Sequence, residues 1–140
     1  PCGRVSPEAQ RLIDVTRQSF FEGIRYARQG QRLQDISAAV PACAEGNGFS
    51  IVREYVGHGV GSKMHEPPEI PNYGRPGHGP RLLRGMTLAV EPMVNAGAAS
   101  IVQMDDGWTV RTADGKMAAH YENTILITDG EPEILTAPAI

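Results

Sequence analysis

Ser100-Ile101-Val102-Gln103-Met104 and Thr109-Val110-Arg111-Thr112 are two short β-type runs with Asp106-Gly107 between them, and Asp114-Gly115 follows directly. Asp-Gly is a hairpin dipeptide, because a tight turn between antiparallel strands needs positive φ at its centre. The pattern predicts short antiparallel strands, and it extends both ways. Further strands are expected near Phe49–Tyr55, Met86–Val90, Ala118–Thr128 and Glu133–Leu135, with Asp129-Gly130 as another turn.

The front of the chain has a different period. Ser6-Pro7-Glu8 reads as an N-cap, a first-turn proline and an early acid. Leu12, Ile13, Thr16, Phe20, Ile24 and Ala27 then recur at helical spacing, and Gly30 is placed to end the helix. A second helix is expected from about Leu33 to Glu45, with Leu33, Ile36 and Val40 on one side and Gly46-Asn47-Gly48 as its stop. Pro41 falls inside it, where a missing hydrogen bond costs about 3 kcal/mol. Residues 57–85 hold seven glycines and five prolines and separate this helical front from the strand-rich back. Helices followed by strands predict an α+β fold: two helices packed on a curved, mainly antiparallel sheet.

Composition narrows the function classes. The 140 residues are 41% hydrophobic and 21% charged, enough for one cored domain and unlike a disordered chain. Thirteen basic against sixteen acidic residues carry no nucleic-acid footprint. No apolar run reaches the roughly 20 residues of a membrane helix. Pro1-Cys2-Gly3-Arg4 leads into a polar helical pattern, so no signal peptide and a cytoplasmic location are expected. Cys2 and Cys43 are too few for a disulfide framework, and Cys43 is expected in the core.

Three residues stand out chemically. Glu91 follows the apolar run Thr87-Leu88-Ala89-Val90 and precedes Pro92. Glu122 stands between Tyr121 and the strand Thr124-Ile125-Leu126-Ile127. A carboxylate at the end of an apolar strand, if buried, must be paired, hydrogen-bonded or metal-bound. His65 follows the glycine-rich Gly57-His58-Gly59-Val60-Gly61. Imidazole and carboxylate together suit a divalent transition metal, although each residue alone also reads as a solvated or capping group. His58, between glycines, reads as a turn residue, and His78 and His120 as exposed polar groups. The glycine run lacks the GxxxxGK[ST] pattern of a phosphate loop, and no G-x-S-x-G nucleophile motif is present.

Four segments, taken together, resemble type I methionine aminopeptidases of the "pita-bread" peptidase family M24. They are Gly57–Gly61 through His65-Glu66-Pro67-Pro68, Gly85-Met86-Thr87-Leu88-Ala89-Val90-Glu91-Pro92-Met93-Val94-Asn95, Asp106-Gly107-Trp108-Thr109-Val110, and Tyr121-Glu122-Asn123-Thr124-Ile125. The resemblance runs in unbroken order from about Glu8 to Thr136. It implies half of a pita-bread fold, in which two similar halves enclose two divalent ions (cobalt, manganese, iron or zinc). It also implies removal of the N-terminal initiator methionine from nascent polypeptides, with neither nucleic acid nor membrane as a partner. By the resemblance His65 is a metal ligand, Glu91 a metal ligand and catalytic proton shuttle, Glu122 the carboxylate bridging both ions, and Trp108 a wall of the methionine pocket. Its other reading is a hairpin aromatic.

The chain also departs from that pattern. The family's five ligands include two aspartates in the first half of its fold, and Asp14 and Asp35 do not match them. Residues 1–140 therefore read as the C-terminal half of a catalytic domain, holding at most one ion weakly. Self-association, or complementation by the N-terminal half, would complete the site. Asn72 stands where many members carry a substrate-contacting histidine. The alternative to the enzyme is an inactive pita-bread relative that binds a peptide or protein.

Overall fold

The structure is a computed structural model and describes residues 1–137. Helix α1 spans Pro7–Ile24 and α2 spans Leu33–Gly46. Among the described residues ten strands follow: β1 Ser50–Ile51, β2 Gly57–Gly59, β3 Glu66–Ile70, β4 Thr87–Val90, β5 Met93–Asn95, β6 Ile101–Gln103, β7 Val110–Thr112, β8 Ala118–His120, β9 Asn123–Leu126 and β10 Glu133–Ile134. The expected α+β fold, with two helices packed on antiparallel strands, is what forms.

Both helices begin where local chemistry places them. The Ser6 hydroxyl accepts the Ala9 N–H at 3.1 Å, satisfying one orphan donor of the first turn of α1. At α2 the Asp35 carboxylate accepts the Arg32 N–H at 2.8 Å. Pro41 does not end α2, whose neighbouring turns are held against the sheet by the buried Val40 and Ala44.

The strands make three antiparallel sheets instead of one. A five-stranded sheet has the order β10-β9-β4-β2-β3, a three-stranded sheet the order β1-β5-β8, and β6 and β7 pair alone. The helix pair spans both larger sheets. Phe20, Ile24, Leu33 and Ile36 pack with Ile70, Leu88, Val90 and Ile125 of the larger sheet. Leu12, Val15, Val40 and Ala44 pack with Phe49, Ile51 and Val94 on the smaller.

Two short crossings join the sheets. Glu91-Pro92 carries the chain from β4 to β5, and Tyr121-Glu122 carries it back from β8 to β9. The single strand expected over Ala118–Thr128 is therefore two strands with a break. Pro92 has no N–H to give a ladder, so the pairing stops there. The strands β2, β3 and β5 were not expected. Gly57-His58-Gly59 and the proline-rich Glu66–Ile70 carry loop composition, and backbone pairing with neighbours overrides it.

Candidate metal centre

Register brings the chemistry together. Val90 of β4 pairs with Asn123 of β9, so Glu91 and Glu122 are the next residues at the same end of this antiparallel pair. His58 of β2 lies opposite Ala89 of β4. Side chains alternate along a strand, so His58, Glu91 and Glu122 share one face, opposite Leu88, Val90 and Ile125 on the helix side. Tyr121 packs on Phe20 at 5.2 Å between ring centroids, anchoring the second crossing to α1.

One ligand atom from each of His58, Glu91 and Glu122 lies within 4.8 Å of the other two. His58 Nε2 is 3.4 Å from Glu91 Oε1, and these side chains are 15% and 14% exposed. A tetrahedral ion with bonds near 2.1 Å separates its donors by about 3.4 Å, so the spacing suits shared coordination. The other imidazole nitrogen is occupied: His58 Nδ1 lies 2.9 Å from the Gly59 carbonyl. Donating there leaves the Nε2 lone pair facing the carboxylates, as a metal-binding histidine is normally oriented. One imidazole and two carboxylates form a donor set that fits a divalent transition ion.

The histidine in this group is His58; His65, on which the expectation rested, lies outside it. His65 immediately precedes β3, an edge strand, and β2 lies between β3 and β4, the strand that leads to Glu91. Its ring packs against that of His58, with centroids 4.3 Å apart. By composition His58 reads as a turn residue, because its flanking glycines hide a strand. The signal that could have found it is the alternation Gly57-His58-Gly59-Val60, which presents one polar side chain to one face.

His120 also departs from a plain surface residue. Its Nε2 lies 3.4 Å from Glu91 Oε2, and its side chain is 46% exposed. The interaction with Glu91 raises its pKa above the ordinary histidine value, against an opposing push from partial burial. An open apolar cavity of about 360 Å³ lies beside it, lined by Val52, Tyr55, Met93, Ile101 and Ala119 among others.

Trp108 does not line that cavity. It is 86% exposed in the loop between β6 and β7. The Asp106 carboxylate organises this loop by accepting the N–H groups of Trp108 and Thr109 and the Thr109 hydroxyl, at 2.9, 2.8 and 2.6 Å. These bonds, led by the hydroxyl's, pull the Asp106 pKa below its ordinary value of 3.8. A depressed carboxylate pKa stabilises the loop fully above the ordinary value, and that support is lost as pH falls through the folded value. The NMR shift of the Thr109 amide, which donates to that carboxylate, is therefore expected to follow the Asp106 titration with a midpoint below 3.8. Asp106→Asn should remove that titration, and an unchanged profile in the variant would refute this role.

Neither helix aspartate joins the centre. Asp14 accepts from Gln10, while Asp35 accepts from the Arg32 and Gly77 N–H groups. Cys43 is half-buried instead of fully in the core.

Residues 1–129 match the metallopeptidase family M24 model. The chain is 58% identical over 134 residues to a methionine aminopeptidase of Clostridium perfringens, covering 96% of this chain and 54% of that protein. Its fold superposes on the crystal structure of methionine aminopeptidase from Thermotoga maritima with a TM-score of 0.94, at 47% identity over 97% of this chain and 55% of that one. Prolidase from Pyrococcus furiosus shares the fold, with a TM-score of 0.71 at 19% identity. The chain thus spans about half the length of the methionine aminopeptidases it matches.

Proposed function

The chain belongs to metallopeptidase family M24, and from that premise we propose that it supplies the histidine–glutamate–glutamate side of a two-metal methionine aminopeptidase centre. In this reading residues 1–140 are the C-terminal half of the catalytic domain. Two aspartates from the other half of the fold, in the same polypeptide or a separate chain, complete the site. The substrate is the N-terminal methionine of a nascent polypeptide, and the reaction is hydrolysis of its peptide bond in the cytoplasm.

The observation that carries this reading is the orientation of His58. Its Nδ1 is engaged by the Gly59 carbonyl, and its Nε2 faces Glu91 within the three-residue group. A module that only bound peptides would have no chemical need for that arrangement. When bound, divalent ions would supply an activated water and a Lewis acid for the scissile carbonyl. His58, Glu91 and Glu122 would hold them, and the family resemblance gives Glu122 the bridging role. Glu91 is also the carboxylate that would pass the proton to the leaving amine. His120, beside Glu91, would help retain negative charge there. The apolar cavity bordering His120 is the surface offered to the methionine side chain, which suits apolar, polarisable walls.

The test separates the two histidines. Isothermal titration of the 140-residue chain with Mn2+ should show one weak site. His58→Ala should weaken it by more than roughly tenfold, the scale on which even supporting partners act. His65→Ala should retain it. Methionine release from Met-Ala-Ser should appear when the N-terminal half of the Clostridium perfringens relative is added, and should disappear with Glu91→Ala. Mn2+ binding that survives His58→Ala but is lost with His65→Ala would refute the ligand assignment. Complementation without methionine release would refute the activity.

A further inference from the structure

Asn72 follows β3 in Pro71-Asn72-Tyr73 and is 1% exposed. A buried amide needs hydrogen-bond partners, and Asn72 Nδ2 donates to the carbonyl oxygen of Glu91 at 3.0 Å. That carbonyl lies at the crossing between the two larger sheets. The β4 ladder ends at Val90, β5 begins at Met93, and Pro92 between them has no N–H. The next carbonyl along, that of Pro92, accepts the Tyr121 N–H at 3.2 Å. Both peptide planes of the crossing are therefore held by groups outside its own strand.

We propose that Asn72 is a positioning residue for the metal centre: by fixing the Glu91 main-chain carbonyl, it sets where the Glu91 carboxylate stands between His58 and His120. The inference deepens the proposed function and rests on its assignment of Glu91 as a ligand. Three constraints meet at this residue. The proline after it restricts Glu91 to extended backbone. The Asn72 amide fixes the direction of its carbonyl, and with it the backbone turn from which the side chain departs. The carboxylate then reaches His58 Nε2 and His120 Nε2, each at 3.4 Å, through separate oxygens. Without the amide, the carbonyl would have to turn to find another donor, and the carboxylate would move with it. Asn72 is well placed for that role. Its side chain is buried and engaged with the protein's own backbone.

The test measures Mn2+ affinity by isothermal titration and thermal stability by circular dichroism on the 140-residue chain. Asn72→Ala is expected to weaken Mn2+ binding by about 10–100-fold, the usual effect of removing a group that orients a ligand. Asn72→His, whose ring N–H can donate to the same carbonyl, should recover most of that affinity. Ser19→Ala removes a buried hydrogen bond to the Thr16 carbonyl on α1 and serves as the structural control. It should leave Mn2+ affinity unchanged. Should Asn72→Ala not fold, Asn72→Ser, whose hydroxyl is too short to reach the carbonyl, is judged by the same criteria. Wild-type affinity in the alanine or serine variant overturns the proposal. So does equal weakening by Ser19→Ala, or failure of Asn72→His to recover binding, since either marks a packing effect. Glu91→Gln in parallel distinguishes the levels. If it binds Mn2+ normally, the ligand assignment itself has failed; if it alone loses binding, only the role of Asn72 has.

Discussion

Glu91→Gln is expected to reduce the affinity of the chain for Mn2+ by at least about 100-fold, beyond the 10–100-fold typical of losing a supporting partner. The substitution keeps the shape of the side chain and removes its charge. Among the described residues, Glu91 is the carboxylate within 3.4 Å of both His58 and His120, so it is the hub of the cluster. A neutral amide offers one weak oxygen donor where two anionic oxygens stood. With three donors from this chain, losing one leaves His58 and Glu122, too few to hold an ion against water. His120 should report the same change independently. Glu91 heads the influences that raise its pKa, so the variant's His120 should titrate at lower pH by NMR. A group with a raised pKa is stabilised in its charged form, and removing the anion withdraws that support. Unchanged Mn2+ binding, with His120 shifted, would place the ion elsewhere.

Gly59→Ala should act on the fold and on the site together. A β-carbon at this position would lie 2.3 Å from the Pro67 carbonyl oxygen and 2.7 Å from that of Glu66, both main-chain atoms of the paired strand β3. Backbone cannot step aside as a flexible side chain can, so β2 and β3 must separate. Overpacking of this kind costs about 1–3 kcal/mol and occasionally more. Here the upper end is expected, and a melting temperature lower by roughly 10 °C would follow for a domain of this size. The residue displaced with the strand is His58, so Mn2+ binding should fall even in the fraction that stays folded. A variant with wild-type melting and wild-type metal affinity would show that the strands part without strain.

The close approach at Gly59 explains why the sequence misled at this point. Glycines beside His58 look like loop residues when only composition is read. Gly59 lets β3, and Gly57 lets β4, come within contact distance of β2, which is visible only when all three strands are present. The same holds for Tyr121-Glu122. The run from Ala118 to Thr128 has one strand's composition, and nothing local marks the change of sheet between His120 and Asn123. Pro92 is the partial exception, because a proline after Glu91 does announce that a ladder ends there.

Local chemistry was enough for both helices, for the hairpins at Asp106-Gly107 and Asp129-Gly130 and for the α+β class, but not at Asp114-Gly115, which joins β7 to β8 across two different sheets instead of closing a hairpin. Helical periodicity, capping and turn conformations act between residues a few positions apart, so the linear order contains them. The carboxylates Glu91 and Glu122 were legible for a related reason: a charge beside an apolar strand is anomalous wherever that strand goes. Which histidine joins them was not legible. His58 and His65 are seven positions apart in one glycine-rich segment, and both are plausible ligands by type. Sheet order decides between them, because β2 pairs with the strand leading to Glu91 while β3 lies one strand further out. The buried amide of Asn72 at the Glu91 carbonyl is of the same kind. Strand pairing and register are contacts between distant residues, and only the folded chain brings them within reach of one another.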